Sequence, residues 1–182
     1  MVTAVASRPA RAALPATAGM APFAGSRPGR AWSPQELLTL ATWASGQLRP
    51  VQDIGRPVSG HRHYELLDRA RDYEMWLIRW PQDDGLVLHD HGGSAGAFFV
   101  AAGVLEETGT SLASQRLRRR FVPRGAGHGF GPEYVHSVVN PAVAPATSVH
   151  AYSPPLPSMT FYATSPTGLL VSHVETEWDG AP

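Results

Sequence analysis

Apolar residues recur with two periods along this chain. Between Ser33 and Pro50, Leu37, Leu40, Ala41, Ala44 and Leu48 return every three or four positions, the spacing of a helix that buries one stripe. Its start is written locally, with Ser33 as the cap, Pro34 in the first turn and Glu36 placed to close a capping box. Pro50 ends the segment. Residues 55–60 read as loop, and 61–71 fit either a strand or a short helix. From residue 73 the pattern becomes that of strands. Residues 73–80 are aromatic and branched and stop at Pro81; a turn at 81–85 leads into the next strand. Further strands are expected at 97–102, 104–108, 115–122, 134–139, 147–152, 159–164 and 169–177. Many short strands punctuated by Gly and Pro, after one helix, predict a mainly β barrel or sandwich.

Composition narrows the class. At 182 residues the chain is long enough for one domain with its own core. A formal net charge of +0 gives no pull towards nucleic acid or an anionic membrane, and every basic residue is arginine. The absence of cysteine excludes disulfides, zinc ribbons and a thiol nucleophile. No apolar run approaches the eighteen or so residues of a membrane helix. Residues 1–30 are rich in Ala, Pro, Gly and Arg, lack any acid and have no signal-peptide core. They are expected to be a disordered tail, with a transit peptide or a later start at Met20 as alternatives. The ordered domain is then 31–182, cytoplasmic and monomeric.

The chemistry concentrates in three stretches. In Gly85-Leu86-Val87-Leu88-His89-Asp90-His91-Gly92-Gly93-Ser94, strand alternation turns His89 and His91 to one face and Leu88 and Asp90 to the other. His136, in the β-prone run 134–139, is placed to add a third imidazole, and three histidines so spaced form a metal-ligand pattern. A lone strand histidine is usually a hydrogen-bonded core residue, so the joint pattern carries the reading. His128 lies in a Gly-rich stretch read as a turn and is expected to be dispensable. The third stretch alternates Ser148, His150 and Tyr152 with Val149 and Ala151. Either the polar line faces the interior as a hydrogen-bonded row, or it faces out with Val149 and Ala151 in the core; periodicity leaves both open. Arg116, Arg118 and Arg120 share one strand face and read as a solvated edge strand protected from aggregation, not as a nucleic-acid surface.

Taken together, Trp80-Pro81, His89-Asp90-His91-Gly92-Gly93-Ser94, Gly103-x-Leu105-x-Glu107-Thr108, His136-Ser137-Val138-Val139-Asn140-Pro141 and Ser148-x-His150-x-Tyr152-Ser153-Pro154-Pro155 resemble the cysteine dioxygenase family of cupins. The resemblance covers about half the chain. It implies a single cupin domain, a double-stranded β-helix or jelly-roll barrel with a short N-terminal helical segment. It also implies Fe(II) on His89, His91 and His136, with Tyr152 held by His150 and Ser148 beside the metal. The implied activity is a thiol dioxygenase that adds both atoms of O2 to the sulfur of a small thiol, giving a sulfinate.

The sequence departs from that family in three places. The usual glutamate after the second histidine falls on Ala95 or Gly96. Gly96 also occupies the place of the cysteine that crosslinks to the tyrosine in some relatives. The arginine that binds the substrate carboxylate falls by spacing on His63, or on Tyr64 with one gap, with Arg62 adjoining and Arg69 and Arg71 near. Arg62, His63 and Tyr64 are therefore the candidate substrate-binding residues, and cysteine is expected to be a weak substrate. The alternatives are a cupin iron enzyme with a non-thiol substrate, or a non-catalytic metal-binding cupin.

Overall fold

A computed structural model describes residues 30–48, 62–166 and 168–176. The expected N-terminal tail, except Arg30, and the loop at 55–60 lie outside them. One helix, α1 (Pro34–Gln47), precedes eleven strands: β1 (His63–Arg69), β2 (Glu74–Trp80), β3 (Gly85–His89), β4 (Ala95–Ala102), β5 (Val104–Ser111), β6 (Arg118–Pro123), β7 (Gly127–Phe130), β8 (Tyr134–Val139), β9 (Ala146–Ser153), β10 (Met159–Ser165) and β11 (Gly168–Glu175). The helix start follows the sequence rule. Ser33 Oγ accepts from the Glu36 amide at 3.3 Å, and Glu36 Oε2 accepts from the Ser33 amide at 2.9 Å.

The strands form two antiparallel sheets, ordered β1-β2-β9-β4-β7 and β11-β10-β3-β8-β5-β6. This is the mainly β jelly roll of the cupin class, built as two facing sheets. Residues 61–71, open between strand and helix, supply β1, which pairs with β2 through Tyr64↔Ile78 and Leu66↔Trp76. The glycine-rich stretch read as a turn is instead strand β7, whose Phe98↔His128 register against β4 carries His128 into the sheet. Phe98↔His150 continues that row into β9.

Apolar packing falls into two layers. Between the sheets lie Trp76, Ile78, Trp80, Phe98, Val100, Leu105, Val122, Phe130, Val138 and Leu156. On the outer face of the five-stranded sheet, Leu37, Leu40, Ala41 and Ala44 of α1 cover Met75, Leu77, Ala97, Val149 and Ala151. Of the two orientations left open for β9, the inward-facing polar line is the one adopted, and the outward-facing one is not. Ser148, His150 and Tyr152 face the interior while Val149 and Ala151 pack under the helix, so every residue of β9 is buried. Among the described residues, no helix is long and apolar enough to cross a membrane.

Candidate metal centre

His89 closes β3 and sits opposite His136 of β8 in the strand register. His91 lies two residues on, in a bend held by Asp90. The Asp90 carboxylate accepts the Gly92 amide at 3.0 Å, the Thr160 amide at 3.0 Å and the Tyr162 hydroxyl at 2.7 Å. Gly92 and Gly93, at φ 58 and 86, make the turn that side-chain-bearing residues resist. Asp90 thus points away from the histidines, as alternation predicts, and from there fixes the bend that aims His91.

The result is one cluster. Ligand nitrogens of His89, His91 and His136 all lie within 4.8 Å of one another, and the three side chains are essentially inaccessible to solvent. No carboxylate belongs to the group. Two of the rings have their tautomers set by hydrogen bonds. His89 Nδ1–H donates to the Val87 carbonyl at 2.7 Å, and His136 Nδ1–H donates to Glu107 Oε1 at 2.8 Å. Both acceptors lack a hydrogen to give, so Nε2 of each ring keeps its lone pair. Neither ring nitrogen of His91 has a hydrogen-bond partner; the Tyr134 backbone acts on the ring without a bond of ordinary geometry. Burial drives His89 and His91 well below the ordinary imidazole value, and the neighbouring His136 adds repulsion. Neutral, buried imidazoles with an orphaned nitrogen are the donor set of a transition-metal site, and three of them fit one ion with positions left over.

Glu107 is the residue that strand alternation alone would have found. It shares the core face of β5 with Leu105, and an acid on an apolar face demands a partner. Burial pushes its carboxyl up, but hydrogen bonds from His128 and His136 outweigh that and hold it well below the usual carboxylate range. His128 donates from Nδ1 to Glu107 Oε1 at 3.2 Å, and Arg120 Nε donates to Oε2 at 2.7 Å. His128 is therefore part of the support of His136. Arg120 also donates to the Tyr134 hydroxyl at 3.0 Å, so it is more than a solvated charge, although β6 is an edge strand as expected.

A polar line runs along the facing sheet. Trp80 Nε1–H donates to Ser148 Oγ at 2.9 Å, Ser148 lies 2.8 Å from His150 Nε2, and His150 Nδ1 lies 3.1 Å from the Tyr152 hydroxyl. Burial lowers His150 to about 3, so its ring is neutral and carries one N–H. Since Trp80 can only donate, the arrangement in which Ser148 accepts once and donates once runs Trp80 to Ser148 to His150 to Tyr152. In reverse, Ser148 would accept twice and its own hydrogen would have no partner in the line. The Tyr152 hydrogen is thereby left free, and burial raises that phenol so that it stays protonated. Its ring stacks on His91 with centroids 5.3 Å apart.

The candidate substrate residues divide. Tyr64 packs against the inner cluster, while His63 alternates to the outer face opposite Arg79. Arg62 reaches inward beside Tyr64: its Nε donates to the Tyr64 hydroxyl at 2.7 Å, its Nη1 to Asp84 at 2.9 Å, and its guanidinium lies 5.6 Å from the Trp80 ring centroid. Its charge is felt at His89. Arg69 is taken up by buried Glu74, and Arg71 is exposed.

Among known proteins, the family model described as cysteine dioxygenase type I matches residues 60–165. The solved structure of TT1209 from Thermus thermophilus is 14% identical, covering 59% of this chain and 97% of its own with a TM-score of 0.48. An uncharacterized conserved protein with a double-stranded β-helix domain, from Klebsiella pneumoniae, is 15% identical, covering 69% and 96% with a TM-score of 0.47. The Cnp3 cupin domain of Schizosaccharomyces pombe is 8% identical, covering 55% and 66%, also at 0.47.

Proposed function

The chain belongs to the cysteine dioxygenase type I family, and from that premise we propose that it is an Fe(II)-dependent thiol dioxygenase, converting a small thiol and O2 to a sulfinate. The observation that carries this reading is the fully buried His91, with both nitrogens unpartnered, inside a group of three ligand histidines. His89, His91 and His136 would hold the ion. When bound, the iron supplies a Lewis-acidic redox centre where a thiol and dioxygen meet, and both oxygen atoms end on sulfur.

The protein's own contribution is orientation. The Val87 carbonyl and Glu107 fix the tautomers of His89 and His136, presenting lone pairs inward. Glu107 carries a negative charge against His136 and strengthens that imidazole as a donor. The line from Trp80 through Ser148 and His150 sets the Tyr152 hydroxyl as a donor towards the reacting atoms. Buried walls, including Phe98 and Phe130, keep bulk water from competing. Arg62 and Tyr64 together are the anchor for an acidic group on the substrate. Arg62 already pairs with Asp84, so a carboxylate there shares its partner, and cysteine is expected to be a weaker substrate than at least one other small thiol.

The test is O2 uptake and sulfinate formation by the iron-loaded protein across cysteine, mercaptopropionate and matched thiols lacking the carboxylate. Uptake coupled to sulfinate with at least one thiol is expected. Stoichiometric iron without uptake on any thiol would turn the reading to a non-thiol substrate. Saturation by cysteine at low concentration, lost specifically in Arg62→Ala, would overturn the expected weak cysteine activity.

A further inference from the structure

At the β5–β6 edge of the six-stranded sheet, next to the metal centre, lies an open hollow of about 450 Å³. The strand register defines its place. His136 of β8 pairs with Gly109 of β5, and Gly109 pairs in turn with Arg118 of β6. Arg116, Arg118 and Arg120 line the cavity together with Ser111, Ser114 and Tyr134. No carboxylate and none of the three clustered histidines lines it. Tyr134 is the wall shared with the metal centre: its ring lies 5.4 Å from that of His136. Its hydroxyl fills the space that a side chain at position 109 would take.

Charge balance sets this cavity apart. Arg120 is engaged with Glu107 and Tyr134, whereas Arg116 and Arg118 have no ion pair among the described residues. Two uncompensated guanidinium groups and several hydroxyls converge on one concavity with donors in excess of acceptors. Arg116 and Arg118 face water, as edge arginines that keep strands apart do, but they also line a hollow that carries hydroxyl groups. Guanidinium forks match the geometry of a multiply charged oxyanion, and the volume leaves room for an organic group behind it.

We propose that this cavity is a binding site for a small molecule carrying a phosphate or pyrophosphate group, distinct from the thiol site. It stands whether or not the thiol reading does, because its test is direct binding.

The experiment is calorimetric titration of the full chain with inorganic pyrophosphate and phosphate, against sodium chloride at matched ionic strength. Saturable binding of one anion per chain is expected. It should weaken by about tenfold or more in the Arg116→Ala, Arg118→Ala double variant, as the loss of charge-assisted hydrogen bonds implies. Binding should persist in Arg124→Ala, an exposed arginine outside the cavity. Thermal melts should show all variants folded. Heats no different from chloride, equal affinity in the double variant, or tighter capture of a short oligonucleotide than of pyrophosphate would each overturn the proposal.

Discussion

A single carboxylate decides how firmly the third histidine is held. Glu107, buried and shared by His128, Arg120 and His136, keeps the His136 ring in the tautomer a metal needs. Glu107→Gln retains the shape but removes the charge. Iron affinity measured by chelator competition should fall by about ten- to a hundredfold, the usual cost of losing such a partner. His91→Ala should abolish stoichiometric metal altogether; iron retained in elemental analysis would remove His91 from the ligand set. Tyr152 belongs to a different class, since it touches the cluster without offering it a nitrogen. Tyr152→Phe should leave metal content unchanged and slow sulfinate formation by about tenfold or more, as expected for one oriented donor. Unchanged turnover on a verified thiol would make the line from Trp80 to Tyr152 purely structural.

Strands explain why Gly96 is where it is. In β4 it pairs with Tyr152, and a Cβ built on it would lie 2.5 Å from the Phe130 ring and 2.9 Å from that of Tyr152. The space a cysteine side chain fills in some relatives is here occupied by aromatic carbon. Gly96→Ala should therefore destabilise by about 1–3 kcal/mol, the range for overpacking a filled core, read as a lower urea midpoint. A midpoint equal to the parent's would mean that Phe130 yields freely.

Over the molecule as a whole, buried imidazoles couple the fold to pH. His150 has its value lowered by burial from 6.5 to about 3. The unfolded chain therefore takes up that proton first. Its contribution is fully present above about pH 6.5 and is lost as pH falls towards 3. His89 and His91 shift in the same direction, and Glu107 adds to the loss below the ordinary carboxylate range. The metal-free protein should lose on the order of a few kcal/mol between pH 7 and pH 5. Urea midpoints across that interval check this. A flat profile down to the carboxylate range would show that water reaches these rings.

Local signals sufficed wherever the physics is local. Capping chemistry placed the start of α1, two-residue alternation turned Asp90 away from His89 and His91, and Gly/Pro punctuation marked most strands. The three histidines were legible because residues two apart in an extended segment must share a face, and because a motif order resembling a known family joined His136 to them. Other features depended on contacts between distant segments. No sequence period reveals that β9 is covered on both sides, because α1 packs its outer face from a hundred residues away. Nor does one reveal that β7, short and glycine-rich, finds its strand partner in β4 and delivers His128 to Glu107. The face taken by Tyr64 and the turning of Arg62 onto Trp80 and Asp84 were likewise set by the register of β1 on β2. Register and burial arise from long-range pairing, and a local pattern constrains them only to within the choice of a face.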